Sequence, residues 1–135
     1  MIVKVTREAL EEIQAATAEA GQREACGLLL GEKHRAHVDI ALAVETRNAH
    51  PTPETHFEVD PQALINAYRA ERDGGASLIG YFHSHPRGAP EPSATDQDMA
   101  PGDGRIWAIA SRDEVRFWRD GPEGFTPVTH HIVEL

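Results

Sequence analysis

The chain of 135 residues carries 13 Lys and Arg against 22 Asp and Glu, a formal net charge of −9 that disfavours an extended nucleic-acid-binding surface. Its single cysteine excludes the common structural zinc sites, which are built from several cysteines. The length predicts one domain over residues 1–135, and because no apolar stretch resembles a signal peptide or a membrane span, we expect a cytoplasmic protein with no membrane partner.

The first half of the chain predicts, in order, a strand, a helix and a β-hairpin. Thr6 is suited to cap the helix over residues 7–20, and Gly21 is suited to end it. A turn at 31–35 joins the two hairpin strands. The strands expected in this half cover residues 2–5, 25–30 and 36–44. Glu24 therefore lies at the entrance of a buried strand.

The second half begins with a helix and then returns to strands. Asp60 and Pro61 are suited to cap and start a helix that continues to about Arg72. The apolar run at 77–82 follows directly and predicts another buried strand. The remaining strands are expected at residues 105–110, 114–118 and 126–133. This alternation of helices and strands indicates an α/β domain, although periodicity alone leaves the strand order open.

The strand at 77–82 leads into His-Ser-His-Pro, where the first candidate ligands lie. Side chains at positions i and i+2 of an extended strand point to one face, so His83 and His85 can converge on a single ion. Further along, Ser93 is suited to cap a helix, and Asp96 falls three residues later in its first turn. Two imidazoles and a carboxylate make a three-ligand set, and zinc bound in that way keeps a position for water, which indicates catalysis.

Each of these residues also has an ordinary structural interpretation. A His-x-His pair by itself is equally compatible with surface histidines at a strand end. Ser93 alone is more typical of a simple helix cap, and Asp96 of a first-turn acid favoured by the helix dipole. An acid such as Glu24, just before an apolar strand, is more typical of a solvated charge than of a catalytic group.

Several segments together resemble the JAMM/MPN+ family of zinc metalloproteases. The sequence His-Ser-His-Pro at 83–86, followed by Ser-x-x-Asp at 93–96, is similar to the JAMM signature. The segment 23–31 looks like the one that supplies the catalytic glutamate of that family, with Glu24 at the matching position. Residues 55–61, which lead into a helix, are also similar to the family, and residues 92–96 closely resemble prokaryotic, JAB-type members. The resemblance covers most of the chain, roughly residues 1–120.

This resemblance implies both a fold and a set of residue roles. The fold is a mixed β-sheet flanked by helices, with an MPN/JAMM architecture related to that of the cytidine deaminases. By the same resemblance, His83, His85 and Asp96 would bind one Zn²⁺ per chain. Glu24 would transfer protons, and Ser93 would hydrogen-bond the oxyanion.

The implied activity is that of a zinc-dependent peptidase or isopeptidase. Its substrate would be a conjugate of a ubiquitin-like, sulfur-carrier-type protein, hydrolysed after a C-terminal Gly-Gly tail. We expect the tail to thread as an added strand between the loops around 48–57 and 100–105. The sequence does not indicate an oligomeric state.

Two alternatives belong to other classes of protein. A non-catalytic MPN-type scaffold would be indicated by loss of a ligand, and all five residues of the candidate site are present. A zinc deaminase would also place a glutamate beside the metal, but its His-x-Glu and Pro-Cys-x-x-Cys patterns are absent.

Six further histidines are expected to be structural or exposed, without a second metal site. They are His34, His37, His50, His56, His130 and His131. The adjacent pair at 130–131 would point to opposite faces of a strand, so the two rings could not chelate together. Cys26 is expected to be a packed residue without a redox role.

Overall fold

Seven strands and three helices make up the computed structural model, which describes residues 1–135. The strands are β1 (Ile2–Thr6), β2 (Cys26–Lys33), β3 (His37–Thr46), β4 (Ser77–Ser84), β5 (Ile106–Ala110), β6 (Val115–Gly121) and β7 (Gly124–Val133). The helices are α1 (Arg7–Ala20), α2 (Pro61–Arg72) and α3 (Ala94–Met99), and none has the length and hydropathy of a membrane span. All the predicted elements are present, and the largest difference is that β2 and β6 continue three residues beyond their expected ends.

The helix boundaries follow from local capping residues. Thr6 Oγ1 accepts a hydrogen bond from a first-turn N–H at 3.1 Å, and α1 ends where Gly21 adopts a φ of 61°. Asp60 accepts a first-turn N–H of α2 at 3.3 Å, while Pro61, which lacks an N–H, occupies the first position. These contacts confirm the predicted starts of both helices.

The strands form one mixed sheet in the order β1-β3-β2-β4-β5-β6-β7. Parallel pairing between β1 and β7 closes this sheet into a barrel, and β1–β3 and β4–β5 are also parallel. The mixed sheet confirms the α/β expectation. Its closure was not predicted, because the apolar pattern of a strand does not specify its neighbours. The architectural relation to cytidine deaminases stays a prediction.

Apolar side chains cover both faces of the sheet. On one face, Ile13 of α1 shares a buried cluster with Phe82 and residues of most other strands. On the opposite face, Leu28 and Trp107 belong to a second cluster, against which Leu64 of α2 packs. Burying one such side chain stabilises the fold by about 1.5–3 kcal/mol. The second cluster surrounds the end of β4 that carries the candidate histidines.

Candidate active site

Two imidazoles from the end of β4 and a carboxylate from α3 meet at one point. His83 Nε2 lies 3.0 Å from Asp96 Oδ1, and His85 Nε2 lies 3.0 Å from Asp96 Oδ2. The two Nε2 atoms are 3.2 Å apart, and all three residues are buried. Ligands held at about 2.0–2.1 Å around a tetrahedral ion are separated by about 3.3 Å. The structure therefore brings together the three predicted ligands at spacings suited to a metal.

The strand and the helix cap explain this convergence. The N–H of His85 donates to the carbonyl of Ala110 at 2.8 Å, so the chain stays paired with β5 across the His-x-His segment. Ser93 Oγ accepts from the N–H of Asp96, and the N–H of Ser93 donates to Asp96 Oδ2, each at 3.0 Å. These two reciprocal bonds make a capping box. They fix the carboxylate in the orientation that faces the imidazoles.

Neighbouring groups orient both imidazoles. His85 Nδ1 lies 2.9 Å from the carbonyl oxygen of Ala89, and because a carbonyl only accepts, this nitrogen carries the proton. When the ring is neutral, the lone pair of Nε2 is therefore directed at the site. The ring of His83 stacks on Phe57 at 4.3 Å between centroids and meets the edge of Trp107 at 5.6 Å. Both rings are held with Nε2 directed at the same point.

Burial and hydrogen bonding shift the pKa values of this cluster in different directions. Burial would raise the pKa of Asp96, but hydrogen bonds from His83 and His85 hold it well below its usual range. Burial lowers the pKa of His83. Burial also opposes protonation of His85, yet its hydrogen bond to Asp96 raises the pKa of that imidazole above the ordinary value. An ionised carboxylate beside a neutral imidazole is a donor set that attracts a cation.

Glu24 lies at the entrance of β2, beside this cluster, and is 6% exposed. Burial, and then the negative charge of Asp96, raise the pKa of Glu24 to about 7. Its Oε1 atom is buried and has no hydrogen-bond partner. Glu24 lines a polar cleft of about 460 Å³ together with His85 and Ser93. A carboxyl group with this pKa can both accept and release a proton near neutral pH.

Four long-range hydrogen bonds fix the backbone around Glu24. Its N–H donates to the carbonyl of Pro53 at 2.7 Å, and Asn48 Nδ2 donates to its carbonyl at 3.0 Å. Ser84, between the two histidines, accepts the N–H of Ala25 through Oγ at 2.8 Å and donates its own N–H to the Ala25 carbonyl at 3.0 Å. The sequence did not indicate these roles of Asn48 and Ser84. The one available signal was that a serine between strand histidines points to the opposite face.

An apolar groove of about 290 Å³ begins at Phe57, the residue that stacks on His83. Phe57 belongs to the loop at 48–57, and Pro101 on the groove belongs to the loop at 100–105. Other residues of the groove are Val59, Pro61, Leu64, Tyr81, Met99 and Trp107, and Glu58 is its one charged residue. The cluster of histidines thus lies between a polar cleft on the His85 side and an apolar groove on the His83 side.

Comparisons with known proteins relate most of this chain to one family. The family model described as prokaryotic homologs of the JAB domain matches residues 6–121. The chain is 34% identical over 90 residues to a desampylase of Haloferax volcanii, a match that covers 67% of this chain and 63% of the relative. It is 33% identical over 96 residues to a probable TtuB-protein conjugate cleaving protease of Thermus thermophilus, covering 71% of this chain and 62% of that relative. The chain thus spans less than two thirds of these relatives.

Solved structures share the fold over nearly the whole chain. The solution structure of a Desulfitobacterium hafniense protein has a TM-score of 0.87 at 28% identity, and the match covers 100% of this chain and 94% of the other. A JAB1/MPN domain protein from Archaeoglobus fulgidus has a TM-score of 0.60 at 18% identity, covering 98% and 97%. With the family match over residues 6–121, these similarities confirm the resemblance seen in the motifs: the chain belongs to the prokaryotic JAB family and has the JAB/MPN fold.

Proposed function

We propose that this protein is a zinc-dependent peptidase or isopeptidase that hydrolyses the bond after the C-terminal Gly-Gly tail of a ubiquitin-like, sulfur-carrier-type protein conjugate. The observation that carries this function is a buried His-His-Asp cluster with Glu24 beside it. The names of two relatives, a desampylase and a TtuB-protein conjugate cleaving protease, support the substrate class. Residues 1–135 would act as one catalytic domain, in the cytoplasm.

The donor set fits a zinc ion. His83 and His85 would each supply Nε2, and Asp96 would supply a carboxylate oxygen. Two nitrogen donors and one oxygen donor are typical of catalytic zinc sites, which keep a further position open. Zinc bound there would polarise a substrate carbonyl and lower the pKa of a water molecule to about 7.

Glu24 would handle the protons of the reaction. Its carboxylate would accept a proton from the attacking water and return it to the departing amine. A pKa raised to about 7 supports this role, because both protonation states are populated near neutral pH. The hydrogen bonds from Asn48 and to Pro53 would keep the carboxyl group in position during both transfers.

Ser93 would stabilise negative charge on the substrate oxygen. Its Oγ already accepts the N–H of Asp96, so its hydroxyl hydrogen is free to donate elsewhere. Ser93 also lines the polar cleft that contains Glu24 and His85. A hydroxyl donor aimed at the oxygen that becomes negative lowers the barrier more than it strengthens ground-state binding.

The substrate tail would occupy the apolar groove beside His83. Both loops between which we expect the tail to thread contribute residues to this groove. A chain ending in two glycines is narrow, and it can approach the buried histidines where larger side chains would be obstructed. Most side chains that line the cleft on the His85 side are polar or charged, including Glu54 and Arg87, which suits the amine-bearing segment that departs.

The test uses a ubiquitin-like protein with a C-terminal Gly-Gly joined to a reporter. The zinc-loaded native chain is expected to cut after the second glycine. Glu24→Gln should keep its zinc and lose activity by about 10²- to 10⁴-fold. Glu45→Gln, a glutamate on β3 outside the site, serves as the matched control and should keep full activity. If the zinc-loaded native chain leaves the fusion intact, as Glu24→Gln does, the peptidase function must be abandoned in favour of a scaffold.

A further inference from the structure

A second group of metal-ligand side chains lies on the β2–β3 hairpin, away from the candidate active site. His34 Nε2 is 2.9 Å from Asp39 Oδ2, and His37 Nε2 is 3.4 Å from Asp39 Oδ1. Glu32 adds a carboxylate oxygen 3.9 Å from His34 Nε2. As in the cluster around Asp96, each oxygen of one aspartate faces a different imidazole. The hairpin thus repeats the donor arrangement of the active site with different residues.

The hairpin itself brings these donors to one side. His37 and Asp39 are two positions apart on β3, so they share a face of the strand. Glu32 on β2 pairs directly with Asp39, which places the two side chains on the same face. The N–H of His34 donates to the carbonyl of His37 at 3.0 Å and closes the turn, and the two rings stack at 4.3 Å with planes 17° apart. The clustering is therefore fixed by the backbone.

The group also has unused capacity to bind a cation. Asp39 Oδ1 is buried and lacks a hydrogen-bond partner. Lys4 lies opposite Asp39 in the β1–β3 register, yet the close contacts of the Asp39 carboxylate are with the imidazoles of His34 and His37 and not with Lys4. The side chain of His34 is 36% exposed, so an ion can reach the group from solvent. No cationic side chain of the protein occupies this position.

We propose that His34, His37, Asp39 and Glu32 form a second metal site that takes a divalent transition-metal ion such as Zn²⁺. Two imidazoles favour zinc, cobalt or nickel over magnesium and calcium, which prefer oxygen ligands throughout. His34, His37 and Asp39 already lie close enough together to share one ion, and the 75% exposed side chain of Glu32 would move in as a fourth donor. A site closed in this way is typical of structural rather than catalytic zinc. The β2 strand separates this group from Glu24 by about 25 Å. An ion bound here would cross-link β2 and β3 at their turn and would lie outside the hydrolytic site.

The experiment counts zinc bound by the metal-free full chain at zinc concentrations close to that of the protein. The native chain should bind two equivalents, and His34→Ala should bind one. His85→Ala should also bind one, and the variant with both substitutions should bind none. His131→Ala, an exposed histidine on β7 outside both groups, is the matched control and should keep two. Cleavage of the Gly-Gly fusion should be unchanged in His34→Ala.

Three results would overturn the site. The first is a single equivalent in the native chain that His34→Ala leaves unchanged. Another is an additional equivalent of zinc that both His34→Ala and His37→Ala still bind, because that ion would then lie elsewhere. The third is an additional equivalent of zinc that binds only at a large excess of metal.

Glu32→Gln should weaken the affinity for the second equivalent of zinc by about tenfold, and an affinity equal to that of the native chain would contradict closure of the site by a fourth ligand. Equal melting temperatures of metal-free native chain and His34→Ala would verify that the variant is folded.

Discussion

At the scale of single residues, Glu24 has the most consequential environment. Its carboxyl group is buried beside the negative charge of Asp96, which raises its pKa from 4.5 to about 7. The folded metal-free protein therefore resists ionisation of this group, and the unfolded chain does not. The resulting stability is complete below about pH 4.5 and is lost as the pH rises through about 7.

We accordingly expect Glu24→Gln to stabilise the metal-free protein above pH 7. The gain in the free energy of unfolding should be on the order of 1–3 kcal/mol at pH 8 and should become small at pH 4.5. Thermal unfolding of chelator-treated native protein and Glu24→Gln at both pH values measures this difference. An equal gain at the two pH values would contradict a raised pKa of Glu24.

Ser84 is a positioning residue, because its side chain acts on the Glu24 strand and touches no ligand atom. Removing Oγ leaves the buried N–H of Ala25 without an acceptor and loosens Glu24. Ser84→Ala should keep zinc and KM but lower kcat by about 10- to 100-fold. Ser77→Ala, at the other end of β4, is the control. If kcat per zinc-containing molecule is unchanged while only the melting temperature falls, Ser84 is merely structural.

The residues of the site differ in how far sequence could indicate them. Strand alternation and a helix cap are local patterns that made His83, His85 and Asp96 candidate ligands, and the JAMM resemblance implied that they share one zinc ion. Their convergence on one point is a finding of the structure. Asn48 and Ser84 could not be predicted, since their partners are 24 and 59 residues away along the chain. The sequence predicted no second metal site, and the proposed hairpin group of His34, His37, Asp39 and Glu32 depends on a strand register that the sequence left open.

At the scale of elements, α3 links the metal-ligand cluster to the proposed substrate groove. Its first turn supplies Asp96, and its last residue, Met99, lines the apolar groove. Met99 is 45% exposed, so it has apolar surface left to bury against a tail. The short helix can therefore influence tail binding without moving the ligands.

We expect Met99→Glu to raise KM for the Gly-Gly fusion by about tenfold while kcat changes little, because a charge in the groove opposes apolar contacts. Leu42→Glu is the matched control, an exposed apolar residue on β3 that does not line the groove. Steady-state kinetics of both variants provides the measurement. Equal KM values for the two variants would exclude the groove as the tail site.

Element positions were predictable where the determining signal was local. The caps at Thr6 and Asp60 set the starts of two helices at the expected residues. Strand ends were less accurate: β2 continues to Lys33 because its hairpin partner supplies hydrogen bonds beyond the apolar run. The parallel β1–β7 closure joins distant segments, and no local pattern in either strand encodes it.

At the scale of the whole molecule, the two ends of β2 carry two different arrangements of similar ligands. At its beginning, Glu24 and the buried cluster lie between a polar cleft and an apolar groove, an arrangement that the proposed hydrolysis of a protein tail would use. At its end, the hairpin group is more exposed, and the cleft of about 370 Å³ that His34 lines contains no carboxyl group of raised pKa. Depth of burial and the neighbouring acid therefore separate the catalytic proposal from the structural one.

The most direct test of the hydrolytic function is the rate of cleavage of the Gly-Gly fusion by one preparation before chelation, after chelation and after zinc is added back. We expect cleavage after the second glycine, loss of the rate on chelation, and its recovery with zinc. His83→Ala should show no recovery, because a ligand is missing. Cleavage that is indifferent to chelation, or that zinc restores equally in His83→Ala, would contradict a zinc-dependent peptidase centred on His83, His85 and Asp96.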